Sequence, residues 1–454
     1  MKFGGTSVED AAAIDRVASI VKTRLAERPF VVVSAMAKVT DQLLAMANAA
    51  GAGDIDQALE LCLKLRERHY IAAGELLGTG LHTELHSELA TEFDKLEQLL
   101  RGICAVGELT PRTSDYVASY GERLSSMIIT PAFVARGINA ELLDAHQVIV
   151  TDGQHTRAAP QIDEINHRLQ VKVKPLLDTG KVPVMGGFIG ATRERVPTTI
   201  GRGGSDFSAA IVGAGLNAAR IEIWTDVDGM KTTDPRICSD ARRIKVISFE
   251  EAAELAYFGA KVLHPATVLP AVEKNIPVLV LNSRNPANQG TRILAHAPRS
   301  TALFKAIAVK SRITIIDIVS ARMLMAHGFL AKVFEVFARH RCAVDVVSTS
   351  EVSVSLTVDS NEAIPQIAAD LEDLGQVKYS GRQAIVCMVG EGIRERSGVA
   401  AQVFDAVRDI NVRMISQGAS EINLTFVIDE TRVPEVVQRL HQRFFSEVDP
   451  EVFD

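Results

Sequence analysis

The sequence predicts an α/β protein of more than one domain, with a largely parallel sheet first and a duplicated pair of small α+β modules last. Three observations carry this. Apolar runs alternate with helical patterns: Phe30 to Ser34, Val182 to Met185, Ile221 to Trp224 and Ile276 to Leu281 read as strands buried on both faces. At 454 residues the chain exceeds what one ordinary core accommodates. It also repeats itself. Gly328-Phe329-Leu330-Ala331-Lys332-Val333-Phe334 matches Gly398-Val399-Ala400-Ala401-Gln402-Val403-Phe404, and Ser350-Glu351-Val352 matches Ser420-Glu421-Ile422, both at a spacing of 70 residues. One ungapped offset kept across two separated motifs means duplication.

In order, the chain opens with Lys2-Phe3, a strand with almost nothing before its glycines, and a helical stretch from Val8 to Ala26. After the Phe30–Ser34 strand comes Ala35-Met36-Ala37-Lys38-Val39-Thr40-Asp41, a loop with hydroxyls. Spacings of three and four predict helix from Asp54 to about Gly102, and Tyr120 to Leu124 reads as the opening of another. Asn139 to Leu143 reads as a strand. Pro, Asn, Arg and Gly gather between Asn282 and Arg299, marking a boundary. Each module beyond it reads strand, helix beginning at glycine, strand, turn, strand, helix. Two in tandem could share one sheet.

Composition is that of a soluble globular chain, with 47% hydrophobic and 23% charged residues. A formal net charge of −7 argues against a nucleic-acid binder. The five scattered cysteines lack metal spacing and read as reduced thiols of a cytoplasmic protein. No leader pattern opens the chain and no apolar run reaches membrane-spanning length, so a cytoplasmic, non-membrane protein is expected.

Four stretches carry chemistry. Lys2-Phe3-Gly4-Gly5-Thr6 is strand, glycine turn and helix, a layout that aims backbone N–H groups at an anion. Thr198-Thr199-Ile200-Gly201-Arg202-Gly203-Gly204-Ser205-Asp206 runs into an Ala-rich helix, and Arg202 offers a two-pronged fork for carboxylate or phosphate. An ordinary helix start, with Asp206 complementing the dipole and Arg202 solvated, reads equally well. Trp224 to Arg236 packs hydroxyls, carboxylates and two cations after a strand, either a nucleotide loop or a polar turn. Phe258-Gly259-Ala260-Lys261-Val262-Leu263-His264-Pro265 places Lys261 near a helix start; His264 reads as packing or capping. Glu122 could take a substrate ammonium, but its position alone favours exposure. Together, Lys2, Arg202 and Lys261 at glycine-rich strand ends suit a site for several negative charges, as in phosphoryl transfer.

In these motifs the chain resembles the aspartokinases of the amino-acid kinase family. Lys2 to Val8, Gly201 to Asp206, Trp224 to Val227, Thr233 to Arg236 and Phe258 to Pro265 match in order and spacing over essentially the whole chain. The resemblance implies a kinase domain at 1–293 followed by two ferredoxin-like ACT domains at 310–380 and 381–454, the last segment completing either. It implies transfer of the ATP γ-phosphate to the β-carboxylate of L-aspartate, the first step towards lysine, threonine and methionine. Lys2, Asp206 and Lys261 are then catalytic. Ser34, Thr40, Glu122 and Arg202 bind aspartate. Gly4, Gly5, Thr6, Thr225, Asp226, Lys231, Asp234, Arg236 and Lys261 bind ATP. Lys231 and Asp228 stand where a member of that family has tyrosine and proline. Mg²⁺ is expected on the ATP phosphates, with few or no direct ligands from the chain.

The same resemblance implies feedback by lysine at Met323, Gly328, Phe329, Val344, Asp345, Thr349, Ser350 and Glu351, with Asp345 pairing with an ε-ammonium. In the second copy Ile415 occupies the position of Asp345 and Ser416-Gln417-Gly418-Ala419 follows, closer to threonine-binding relatives. Threonine is therefore the alternative effector. A homodimer, or a dimer of dimers, through the ACT domains is expected. Two other readings stand beside this one: a kinase for a glutamate-type acceptor, and an inactive amino-acid sensor.

Overall fold

The structure, a computed structural model, describes residues 1–77, 79–201, 203–259, 265–297, 302–324 and 327–454. In chain order, β1 (Lys2–Phe3), α1 (Ala11–Lys22), β2 (Val31–Val33), α2 (Val39–Gly51), α3 (Ile55–Leu76), α4 (Thr79–Val106) and α5 (Pro111–Ala135) come first. They are followed by β3 (Ala140–Leu143), α6 (Ile162–Arg168), α7 (Lys174–Asp178), β4 (Val182–Gly186), β5 (Ile189–Ala191), β6 (Pro197–Thr199), α8 (Gly204–Gly215) and β7 (Ile221–Thr225). Next are β8 (Val246–Ser248), α9 (Phe249–Tyr257), α10 (Leu269–Glu273), β9 (Val278–Asn282) and β10 (Thr291–Leu294). The first copy of the repeat is β11 (Ala306–Val319), α11 (Phe329–Arg339), β12 (Val344–Thr349), β13 (Ser353–Asp359) and α12 (Ile364–Leu371). The second is β14 (Gln376–Val389), α13 (Val399–Ala406), β15 (Met414–Gln417), β16 (Asn423–Asp429) and α14 (Val433–Phe445).

The chain divides into two compact units. One contains Met1–Gly229 and a later segment ending at Ala295; the other contains a segment beginning at Met230 and then His296–Asp454. In the first unit the strand order is β3-β4-β2-β1-β7-β9-β10. Every pairing among the first six strands is parallel, and β10 runs antiparallel to β9. Val31, Val33, Val182 and Val184 are buried and belong to the same core as Leu43, Leu89, Phe93 and Leu124 from the helices. That double burial is why these strands lack polar alternation.

The helix ends follow from sequence. Asp10 caps α1 by accepting from the Ala13 N–H at 2.7 Å, and Thr110 with Pro111 opens α5. This corrects one expectation. Tyr120 to Leu124 lies in the middle of α5 rather than at its start. Pro111 supplies the real start, and Pro131 sits inside the helix without ending it.

In the second unit both copies contribute to one six-stranded antiparallel sheet, ordered β12-β13-β11-β14-β16-β15. The two copies meet at β11 and β14, each 14 residues long. Ile316, Ile318, Val354, Leu356 and Val358 pack under Val333 and Phe337 of α11 and Ile367 of α12.

Candidate active site

Site geometry in the first unit begins at the carboxyl ends of its parallel strands, where open α/β sheets bind ligands. The N–H of Gly4 donates to the Trp224 carbonyl at 3.0 Å, tying the glycine turn to the end of β7. Ser283 N–H and Oγ both donate to the Thr225 carbonyl, at 2.8 and 3.1 Å. Thr6 lies in the tight turn Gly5–Ser7, and Thr225 Oγ1 donates to Asp226 at 3.3 Å. Beside this turn, Lys2 Nζ lies 2.7 Å from Asp206 Oδ1. Asp206 sits in the first turn of α8, where a carboxylate complements the helix dipole.

A cleft of about 370 Å³ opens here, lined by Lys2, Gly5, Ser34, Thr40, Glu122 and Asp206 among others. Five residues expected to act on aspartate or on the phosphoryl group thus share one cavity. Arg202 and Lys261, the two other expected cations, lie outside the described residues, as does His264.

Glu122 departs most from its sequence reading. Its position on a helix favoured exposure, yet it is 3% exposed. The cause is close packing of α5 on the sheet: a Cβ on Gly186 would come within 2.9 Å of the Glu122 Cβ, and Gly121 meets Ala35 as tightly. Glu122 Oε1 accepts from the Ala35 N–H at 3.2 Å. Oε2 is buried and, among the described residues, has no hydrogen-bond partner. Burial pushes its carboxyl up to about 8, opposed by the Ala35 N–H and by the charge of Lys2. A buried oxygen without a partner, on a residue that lines a cleft, is an exception to the usual satisfaction of buried polar groups.

Sequence reasoning missed two features. Lys38 lines the cleft in a left-handed conformation at the start of α2, a second cation beside Lys2 among the described residues of this cleft. Its signal was present in the loop read for its hydroxyls. Asp115 is buried at 1% exposure, accepting from Thr156 N–H and Thr199 Oγ1 and pairing with His155 Nδ1 at 2.8 Å. It holds the loop before Gly201; nothing local in the sequence marks it, since its partners are at least 40 residues away.

Of the remaining nucleotide candidates, Lys231, Asp234 and Arg236 belong to the second unit. Asp234 and Arg236 pair with each other at 2.6 Å, and Arg236 is exposed. Among the described residues no three His, Cys, Asp or Glu side chains converge as a metal site, and no helix is long and apolar enough to cross a membrane.

The expected effector residues fall in two places of the second unit. Met323, Phe329 and Val344 belong to the core under the sheet, while Thr349, Ser350 and Glu351 form the exposed end of β12 and its turn. Asp345 is 3% exposed in its side chain and already engaged, accepting from Lys310 Nζ and from the Tyr257 hydroxyl.

Comparison with known proteins agrees with this geometry. Residues 1–282 match the amino acid kinase family, and 316–365 with 386–444 match the ACT domain. The chain is 39% identical to chloroplastic aspartokinase 3 of Arabidopsis thaliana, covering 98% of this chain and 81% of that one. It is 36% identical to lysine-sensitive aspartokinase 3 of Escherichia coli, covering 98% of both. The crystal structure of E. coli aspartokinase III with aspartate and ADP superposes with a TM-score of 0.84 over 98% of this chain and 99% of that one, at 36% identity. The same enzyme with lysine and aspartate gives 0.85 at the same coverage and identity. With its Lys2–Asp206 pair beside a glycine turn, its parallel sheet and its duplicated regulatory module, the chain belongs to the aspartokinases of the amino acid kinase family.

Proposed function

We propose that the cleft of the first unit carries the γ-phosphoryl group of ATP to the β-carboxylate of L-aspartate, giving 4-phospho-L-aspartate. The observation that supports it best is the coexistence in one cleft of an open buried carboxylate, Glu122, and a cation beside a glycine turn, Lys2. A ligand that satisfies both carries an ammonium at one end and reacts with an anion at the other. Glu122 takes the α-ammonium, Arg202 the α-carboxylate, and Ser34 and Thr40 flank the side chain. Lys2, aimed by Asp206, neutralises the transferring group with the N–H groups of Gly5 and Thr6 as backbone donors; the Gly4 N–H, expected as a third, donates to the Trp224 carbonyl and holds the turn instead. No general base is required, because the acceptor is already a carboxylate. Catalysis then rests on positioning and charge neutralisation. Thr225, Asp226, Lys231, Asp234, Arg236 and Lys261 are assigned to the nucleotide.

Asp206 is engaged by Lys2, and Mg²⁺ is assigned to the ATP phosphates. Lysine is the effector we assign to the second unit, as in the E. coli relative crystallised with it, with threonine as the alternative. The functional divisions are taken as 1–293, 310–380 and 381–454, the protein as cytoplasmic, and the assembly as a homodimer or dimer of dimers through the ACT modules.

A linked assay of ADP release with aspartate, glutamate and N-acetylglutamate, repeated with lysine and with threonine, tests this. Turnover with aspartate that lysine suppresses is expected. Faster turnover with glutamate, or none with any acceptor, would overturn the reading.

A further inference from the structure

The regulatory carboxylate already has an occupant from its own chain. Lys310 Nζ lies 2.8 Å from both oxygens of Asp345 and 3.0 Å from Asp359 Oδ1, and it stands 5.7 Å from the centre of the Tyr257 ring. The Tyr257 hydroxyl donates to Asp345 at 2.9 Å. Asp345 therefore accepts three hydrogen bonds, two of them from an ammonium, with its side chain 97% out of solvent. Little acceptor capacity remains for a second ammonium.

The backbone makes this arrangement at two irregularities. Pairing of β11 with β14 shifts register between Lys310 and Ile313, where Arg312 adopts φ 59°. Pairing of β12 with β13 shifts between Val344 and Val347, leaving Asp345 outside the regular ladder. Bulges re-aim side chains in this way. The second copy carries Ser380 and Ile415 at the corresponding positions, so cation and anion are lost together there. The cluster also grips the end of α9. A Cβ on Gly259, at φ 130°, would come within 2.3 Å of the Val309 carbonyl, so the chain after Tyr257 lies directly on β11 beside Lys310.

We propose that Lys310 is a built-in competitor for the effector site: its ammonium occupies Asp345, and an amino-acid effector must displace it to pair with Asp345. This rests on the reading of Asp345 as an effector contact. Lys310 then sets effector sensitivity, and its departure also frees one oxygen of the acceptor that Tyr257 holds at the end of α9.

The test is titration calorimetry of L-lysine, L-ornithine and L-threonine into the full chain with its substrate cleft filled by aspartate. Lys310→Gln removes the competitor and should tighten lysine binding about tenfold, within the range usual for linked sites, while Lys310→Arg should stay near wild type. Should Lys310→Gln fail to fold by thermal unfolding, Asp359→Asn loosens the same lysine from its exposed side and should tighten binding about twofold. If wild type binds lysine and the Lys310→Gln variant binds it equally or more weakly, the competition is refuted and the effector reading stands. If wild type binds none of the three and Lys310→Gln binds one, the effector reading falls and the competition stands. If neither binds any, both fall.

Discussion

Two buried carboxylates, Glu122 in the cleft and Asp345 in the regulatory sheet, are left in opposite states. Both are 3% exposed, Glu122 as a residue and Asp345 as a side chain. Glu122 has one backbone donor and one oxygen without a partner among the described residues, so burial drives its carboxyl up to about 8. Asp345 accepts three hydrogen bonds from two donors, the Tyr257 hydroxyl and the Lys310 ammonium. On the assignments proposed above, the first site is completed by its ligand, whereas at the second a ligand enters only by exchange. An enzyme gains from binding substrate without first evicting anything, whereas a sensor gains a threshold from an internal rival.

The largest effect should come from Lys2. Lys2→Ala should lower turnover by about 10²–10³-fold, the scale of losing a charge aimed at the transition state, with thermal unfolding close to wild type. A variant with near-normal turnover would remove Lys2 from the chemistry.

Glu122→Gln should raise the aspartate KM by about tenfold or more, the scale of a lost charge-assisted contact, and leave the ATP KM within about twofold. Below pH 8 the empty site holds Glu122 protonated, so binding an ammonium there releases a proton. Aspartate affinity of the wild type should accordingly rise with pH up to about 8, and calorimetry in buffers of different ionisation enthalpy should detect the released proton. Stability has the opposite sign. A folded value raised above the ordinary 4.5 means stability is fullest at low pH and declines as pH rises from 4.5 through 8. Glu122→Gln should therefore raise Tm of the substrate-free protein more at pH 8.5 than at pH 5, conditions that bracket that window. A pH-independent difference would place the ionised form elsewhere.

Asp345→Ala should shift lysine inhibition to about tenfold higher concentration or more, the cost of a charge-assisted contact. Unaltered lysine sensitivity would take Asp345 out of the effector site and leave its pairing with Lys310 purely structural. The smallest effect belongs to Tyr257→Phe. Removing one neutral donor returns an acceptor to Asp345, so half-inhibition by lysine should move about two- to fivefold lower, as expected for one net hydrogen bond. A shift to higher concentration would show that Tyr257 orients Asp345 for the effector instead.

Much of the fold could be read locally. Val31–Val33 and Ile221–Thr225 are apolar runs short enough to be strands, and the 70-residue offset carries into two copies of one element pattern, because period and burial are written in consecutive side chains. The glycine turn after Lys2 and Asp206 at the start of α8 were equally legible, since chain geometry places both at strand or helix ends. The start of α5 was not, because Pro111 with its Thr110 cap decided it nine residues before the motif that drew attention. By itself the sequence determined the class and the duplication. Only the tertiary structure decided that Glu122 is buried with an open oxygen, that Asp115 holds a loop at least 40 residues distant, and that Lys310 rather than solvent meets Asp345. These are relations between side chains far apart in the chain, and the burial that sets their energies arises when distant elements pack, which no local pattern records.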